Sequence, residues 1–323
     1  MKTVVLTEPI HAAGRALLAE RSDVETVDGH ALAPAERMAA LARAEAILVR
    51  IERLDAPYLA RAPGLRMIAK HGVGVDNIDV GYCSGRGIAV ANTPGANSVA
   101  VAEHAMMLML ALAKDALGHD AAVRAGRWHQ RLGNGPFELA GRTLLIVGFG
   151  RSGQELALRA RAFGMRVLAA GRTLDAVAVA RSGVEAVADW RAVLGEADVL
   201  SIHVPRPPGS GHLVGVAELA AMRPGAVLVN CARGGIVDEA ALAQALRSGR
   251  LRGAGLDVLA DEPPRADNPL LALPNVILSP HVAGNTGEAA RRMALAAAGN
   301  VIAHLDGRLD PGVVVNRSAL AEA

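Results

Sequence analysis

The sequence predicts an α/β protein of two doubly wound parallel-sheet units, the second inserted in the first. Three observations carry this. Short apolar, β-branched runs alternate with segments of helical apolar spacing along most of the chain, the pattern that places helices on both faces of a parallel sheet. At 323 residues there is room for two domains of ordinary size. Two long helical patterns bracket the second series of strands, so the closing helix is expected to return to the N-terminal unit.

In order, the first series opens with a strand at residues 3–6 and a helix at 11–20, with buried strands at 46–49, 67–69 and 89–91. Pro63-Gly64 and Thr93-Pro94-Gly95 punctuate between them. From Ser98, a residue suited to an N-cap, a helical pattern runs to about residue 117. The Gly-rich, polar stretch 126–141 reads as a loop. The second series begins with a strand at 143–147, a helix from about residue 152 and a strand at 165–169, and it continues to about residue 282. An Ala-rich helix at about 287–305 and a short tail follow.

Composition excludes several function classes. Apolar residues make up 51% and charged residues 20%, enough to bury a core. With 34 basic against 32 acidic residues and 2% aromatics, the chain carries neither the basic footprint nor the stacking rings of a nucleic-acid binder. Lys2, Lys70 and Lys114 are the only lysines, so in this Arg-rich chain one arginine says little by identity alone. Cys83 and Cys231 form no C-x-x-C pair, which suits a reduced, intracellular protein. The N-terminal apolar run is too short for a signal peptide, and the apolar stretch at 99–113 is interrupted by Glu103 and His104 and is too short to span a bilayer. A cytoplasmic protein with no membrane or nucleic-acid partner is expected, and no metal site.

The strongest local motif is Leu144-Leu-Ile-Val-Gly148-Phe-Gly150-Arg151-Ser152-Gly153, a G-x-G-x-x-G between an apolar strand and a helical run. In that setting Gly148 permits a tight turn, Gly150 lets backbone approach a pyrophosphate, and Gly153 lets helix pack on strand. The N–H groups near Arg151 and Ser152 would face the phosphates at the positive end of the helix. The next strand is followed by Gly171-Arg172-Thr173, where an NAD site normally carries an acid; Asp175 lies farther along. A carboxylate would repel a 2′-phosphate and a guanidinium would hold it, so NADP(H) is preferred, with NAD(H) admitted.

Three later strings follow apolar strands: Asn230-Cys-Ala-Arg233-Gly-Gly-Ile-Val-Asp-Glu239, Gly255-Leu-Asp257-Val-Leu-Ala-Asp-Glu262-Pro-Pro264, and Val276-Ile-Leu-Ser-Pro-His281-Val-Ala-Gly284. With His71-Gly-Val-Gly-Val-Asp-Asn-Ile-Asp79 and Asn92-Thr-Pro-Gly-Ala-Asn97, they closely resemble the signature segments of the D-isomer-specific 2-hydroxyacid dehydrogenases, over about residues 45–300. The resemblance implies a Rossmann cofactor domain at 99–287, inserted in a flavodoxin-like substrate domain formed by 1–98 and 288–323.

The resemblance also implies roles that the chemistry supports. Reducing a 2-oxo acid needs a hydride donor, a proton donor and a cation for the carboxylate. His281 fits the proton donor because imidazole titrates near neutrality. Glu262 fits its partner, favouring imidazolium and fixing the ring, and Arg233 fits the anion clamp that polarises the carbonyl. By resemblance, the N–H groups of Val73 and Gly74 receive the substrate carboxylate, and Asp257 meets the nicotinamide carboxamide, helped by backbone at Cys231 and Ala232. Backbone near Val204 and Pro205, after His203, would contact cofactor, as would Gly284. Domain closure would then exclude water and assemble the site.

Two departures shape the expected substrate. The NAD-type acid is missing, and with the sequence running to Ala323 no C-terminal regulatory domain like that of long phosphoglycerate dehydrogenases is expected. A small 2-oxo/2-hydroxy acid is expected, with glyoxylate or hydroxypyruvate the best guess, and the resemblance implies a homodimer. Arg50 and Arg53 lie where some members contact a distal group, which keeps 3-phosphoglycerate or another distal-anion substrate as the alternative. Dinucleotide-sensing corepressors share the fold, but they need a peptide-binding surface and usually extended tails; no such tail is seen here.

Overall fold

The computed structural model describes residues 1–129, 135–206 and 209–321. Part of the loop read at 126–141, residues 130–134, lies outside them. The chain divides into two units, Met1–Asn97 with Asn285–Ala323, and Ser98–Gly284.

The first unit contains β1 (Lys2–Leu6), α1 (Ala12–Ala19), β2 (Val24–Asp28), α2 (Pro34–Ala42), β3 (Ala44–Val49), α3 (Ala56–Leu59), β4 (Met67–Lys70), α4 (Val80–Gly85) and β5 (Ala89–Ala91). The second contains α5 (Ser98–Ala113), α6 (Ala116–Arg124), β6 (Thr143–Val147), α7 (Arg151–Ala162), β7 (Arg166–Ala170), α8 (Ala176–Ser182), β8 (Glu185–Ala186), β9 (Val199–Ile202), α9 (Val216–Ala221), β10 (Ala226–Asn230), α10 (Glu239–Arg247), β11 (Leu251–Leu256) and β12 (Val276–Leu278). The chain then returns to the first unit with α11 (Gly287–Leu305) and α12 (Arg317–Ala321).

Both sheets are parallel, as the strand–helix alternation predicts. The first runs β2-β1-β3-β4-β5 and the second β12-β11-β10-β9-β6-β7-β8. These are the flavodoxin-like and Rossmann orders, each reversing direction once, and ligands in such sheets bind beyond the carboxyl ends of strands at that reversal. In the second sheet it falls between β6 and β9, paired from Leu144↔Val199 to Val147↔Ile202.

The central strands are apolar on both sides because helices cover both faces. In the second unit Leu145, Val147, Leu200 and Leu228 face one core, while Leu144, Ile146, Val199 and Val229 face the other, under α5 and α7. Gly253 and Gly255 let α5 lie close on β11: a Cβ at either would stand 2.9 Å from Leu112 Cδ2 or Leu108 Cβ respectively.

The helix read from Ser98 to about residue 117 stops at Ala113. Asp115 adopts φ +47, a left-handed conformation that ends the α-helical path, and α6 restarts at Ala116. The helix expected from about residue 152 starts at Arg151, and the strand expected at 165–169 runs Arg166–Ala170. Strands β2 and β8 were not expected: β2 is an edge strand with all five residues half-buried, and β8 is two exposed residues.

Candidate active site

The turn after β6 is shaped by its glycines. Gly148 has φ +103, a region L side chains avoid, and a Cβ there would stand 2.5 Å from the backbone of His203. A Cβ on Gly153 would run into the carbonyl oxygen of Gly148, so only glycine lets α7 begin this close to the turn. Gly150 differs: a Cβ there would meet nothing within 4 Å, so the space before it is open. No side chain caps α7, whereas Asp175 and Asp238 cap α8 and α10. The first-turn amides at Arg151, Ser152 and Gly153 thus stand as free donors at the positive end of the helix, and a dinucleotide pyrophosphate fits them chemically.

Beside this cradle, Gly148 N–H donates to Ala170 O at 2.8 Å, which ties the turn to the end of β7. Gly171, Arg172 and Thr173 follow there, all exposed. Among the described residues the Arg172 guanidinium has no partner. Asp175 accepts from Val177 N and Ala178 N at 2.9 and 3.4 Å as the cap of α8, so its carboxylate is committed to that helix. Val204 and Pro205 follow β9 in the same unit, half-buried and exposed respectively. His203 before them hydrogen-bonds Ser201 Oγ at 2.9 Å, and burial pushes its imidazole down to about 4. That is poor equipment for a proton donor near neutrality.

The catalytic candidates come together around the ends of β10, β11 and β12. His281 Nδ1 lies 2.7 Å from Glu262 Oε2, with the side chains 50% and 40% exposed. Hydrogen bonding to Glu262 raises the His281 pKa above its ordinary 6.5; desolvation and Arg233 oppose this, and the Glu262 and Asp257 charges reinforce it. Partial burial pushes Glu262 up, but the His281 hydrogen bond and charge, the Leu259 N–H and the Arg233 charge outweigh it and leave the carboxyl below its ordinary range. Arg233 therefore acts on both members of the pair.

Local structure explains each placement. Asn230, at the end of β10, receives Ala232 N–H on Oδ1 and donates Nδ2–H to Arg233 O, both at 3.0 Å, folding the chain back on itself. Arg233 Nη1 donates to Ala232 O at 2.6 Å. Glu239 accepts from Ala260 N and Asn268 Nδ2, both at 2.6 Å, and so pins the loop that carries Glu262. His281 has φ +54, an uncommon conformation for histidine, held by its N–H to Asp257 O at 2.8 Å. Among the described residues His281 Nε2 has no partner, so the pair offers one free imidazole nitrogen.

Asp257 is 1% exposed. Its carboxylate accepts from Ser279 Oγ (2.6 Å), Val282 N (2.8 Å) and Ala283 N (2.8 Å), so it also organises the loop on which His281 and Gly284 sit. Cys231 is buried, and desolvation, then the Asp257 charge, push its thiol up, away from a nucleophile's range. Ala232 beside it is half-buried. Ser279 and Glu239 carry no signal of their own in the sequence, and His104 stands out there only as an interruption of an apolar helix. A histidine on a buried helical face was the available signal.

Val73 and Gly74 belong to the first unit. Gly72 N–H donates to Thr93 Oγ1 at 3.1 Å and Asn92 Nδ2 donates to Val73 O at 2.8 Å, fixing the turn after β4. Among the described residues the N–H groups of Val73 and Gly74 have no partner, as an anion-receiving pair would require.

A glycine cradle at a Rossmann reversal point has the form of a dinucleotide-binding unit, and the same unit carries the His–Glu pair and an arginine after its strand ends. The family model for the D-isomer specific 2-hydroxyacid dehydrogenase NAD binding domain matches residues 106–283, and the chain belongs to that family. It is 40% identical over 319 residues to a glyoxylate reductase of Aeropyrum pernix, covering 96% of this chain and 95% of that one. It is 39% identical over 304 residues to a D-3-phosphoglycerate dehydrogenase of Methanocaldococcus jannaschii, covering 94% of this chain but 56% of the relative's length. Among solved structures, an NADPH-dependent glyoxylate/hydroxypyruvate reductase from Sinorhizobium meliloti in complex with citrate superimposes with a TM-score of 0.84 at 30% identity, covering 98% and 99% of the two chains.

Proposed function

We propose that the protein reduces a small 2-oxo acid to its 2-hydroxy acid with NADPH, glyoxylate or hydroxypyruvate being the best candidates. The observation that carries this is the His281 Nδ1–Glu262 Oε2 bond of 2.7 Å, which leaves Nε2 free as a proton donor. The nicotinamide, when bound, supplies the hydride. His281, kept protonated by Glu262, gives a proton to the developing alkoxide and regains it from solvent. Arg233 clamps the carboxylate and polarises the carbonyl. The amides of Val73 and Gly74 are proposed as further carboxylate donors, and Asp257, Cys231 and Ala232 as the residues nearest the nicotinamide.

The NADPH preference rests on the unpartnered Arg172 and on Asp175 being committed to α8. The named relatives include a glyoxylate reductase of similar length, which supports the small-substrate reading. A cytoplasmic homodimer belongs to the same proposal. Cys83 and Cys231 are free and buried, as suits a reducing compartment, and among the described residues no helix is long and apolar enough to cross a membrane. Met107, Leu117, Val123 and Trp128 expose apolar surface on and after α5 and α6 that a pairing would cover.

Initial rates with NADPH and NADH on glyoxylate, hydroxypyruvate, pyruvate and 3-phosphohydroxypyruvate test the reading. The expected result is turnover on the two small acids with NADPH favoured by about tenfold or more. No turnover on any of the four sinks the reaction, and NADH favoured by that margin sinks the cofactor choice. Light scattering should give about twice the 33.3 kDa chain mass, and a monomer would remove the dimer.

A further inference from the structure

Helix α5 carries His104 to the end of β11. Its Nε2 lies 2.8 Å from Ser279 Oγ and 3.6 Å from Asp257 Oδ1. Ser279 Oγ in turn lies 2.6 Å from Asp257 Oδ1. A hydroxyl has one hydrogen, and a carboxylate only accepts. The Ser279 proton therefore goes to Asp257, and His104 must present Nε2–H to the Ser279 oxygen. The tautomer follows from the geometry: His104 donates to Ser279, and Ser279 donates to Asp257.

The chain of bonds ends at the catalytic pair. Asp257 spends its remaining capacity on the amides of Val282 and Ala283, the two residues directly after His281. Those bonds and the His281 N–H to Asp257 O bond hold His281 at φ +54. A non-glycine residue persists in that region only when its surroundings over-determine it. From that backbone the ring meets Glu262. Gly253 and Gly255, by letting α5 approach β11, put His104 within reach.

We infer that His104 is a positioning residue for His281, acting through Ser279 and Asp257 to fix the backbone on which the imidazole meets Glu262. This rests on His281 being the proton donor of the proposed reduction. His104 touches neither the reacting atoms nor Glu262; it orients one hydroxyl, the hydroxyl orients one carboxylate, and the carboxylate orders two amides. The charged groups acting on His281 are Glu262, Arg233 and Asp257. Looser alignment with Glu262 removes the largest upward influence, so the ring should titrate lower.

The test compares His104→Leu, His104→Gln and Ser279→Ala with wild type and His281→Ala in the full chain. Three quantities are measured: kcat on the best 2-oxo acid, the NADPH dissociation constant by fluorescence, and the basic limb of the kcat/KM pH profile. His104→Leu should lower kcat roughly tenfold and move the basic limb to lower pH, with NADPH affinity within about threefold of wild type. His104→Gln, which keeps an N–H donor at similar reach, should restore most of both. Ser279→Ala should reproduce His104→Leu, and the double variant should be no worse than either single one.

A wild-type kcat and limb in His104→Leu would overturn the inference, as would equal losses in Leu and Gln variants with the limb unmoved. Should His104→Leu fail to fold, Ser279→Ala decides: an unchanged limb and kcat again overturn it. If His281→Ala itself keeps turnover, the proposed function has failed; if it is dead while the His104 and Ser279 variants behave as wild type, this inference alone has failed.

Discussion

His281 and Glu262 each move the other's titration. The histidine is raised by its hydrogen bond to Glu262 and the carboxyl ends below its usual range, so the charged pair exists between those two values. For stability, the raised His281 contributes fully below the unfolded imidazole value and loses that contribution as pH rises through the folded one; the depressed Glu262 loses its own as pH falls through its folded value. For activity, the proposed reduction would use the imidazolium as proton donor, so kcat/KM should decline as pH rises through a value above 6.5. Glu262→Gln should bring that limb down below the ordinary imidazole value, since desolvation and Arg233 then act with only Asp257 opposing them. His281→Ala should cost about 10²–10⁴-fold in turnover with cofactor binding nearly intact. A pH profile of Glu262→Gln that overlays the wild type would show that the pair does not set the limb. At the same scale, Arg172→Ala should raise the Michaelis constant for NADPH roughly tenfold and leave that for NADH nearly unchanged, because only one of the two cofactors carries a 2′-phosphate. Equal changes would place Arg172 away from the phosphate. His281, Glu262 and Arg233 were legible as candidates because they sit in distinctive strings, and the structure pairs the first two. Ser279 and His104 were not, because their pairing depends on α5 reaching the segment just after β12, which joins residues 175 positions apart.

At the scale of elements, the junction of β6 and α7 should separate folding from the proposed cofactor binding. Gly153 and Gly150 both belong to the motif, yet a Cβ on the first strikes backbone and on the second enters open space. Gly153→Ala should therefore lower Tm by several degrees, as overpacking of about 1–3 kcal/mol would, and weaken NADPH binding with it. Gly150→Ala should leave Tm within about 2 °C while raising the NADPH dissociation constant about tenfold or more, since its methyl occupies only the space before the helix amides. Thermal melts and fluorescence titrations of the two variants check this; matched losses of Tm would mean that the open space is structural. The central strands and the long helices were readable because burial on both faces makes continuous apolar runs. Helix ends and edges were less so. The overrun of α5 came from Asp115, whose left-handed backbone nothing in the local apolar pattern announces, and β2 escaped because a half-buried edge strand of Val, Glu, Thr and Asp has no run to detect.

At the scale of the whole chain, the two units differ in how the sequence builds them. Ser98–Gly284 is continuous, with cores on both faces of its sheet. The other unit is made of two pieces, and the second piece completes its core: Ala297, Ala298 and Val301 of α11 pack with Val4, Leu6, Leu18 and Met67. The crossing is close, for a Cβ on Gly14 of α1 would stand 2.7 Å from Ala294 O. Burying Ala289, Met293, Ala294, Ala297, Ala298 and Val301 contributes about 7 kcal/mol at most, comparable with the whole stability of an ordinary domain. A chain cut after residue 284 should therefore lose the first unit and keep the second. Fragment 98–284 should melt cooperatively and bind NADPH within about threefold of the full chain. Fragment 1–284 should show only that same transition, with added binding of a hydrophobic dye by the loosely packed apolar residues of the first unit. Calorimetry and dye fluorescence on the two fragments decide the matter: a second, native-like transition in 1–284 would mean that α11 is dispensable to the core it covers.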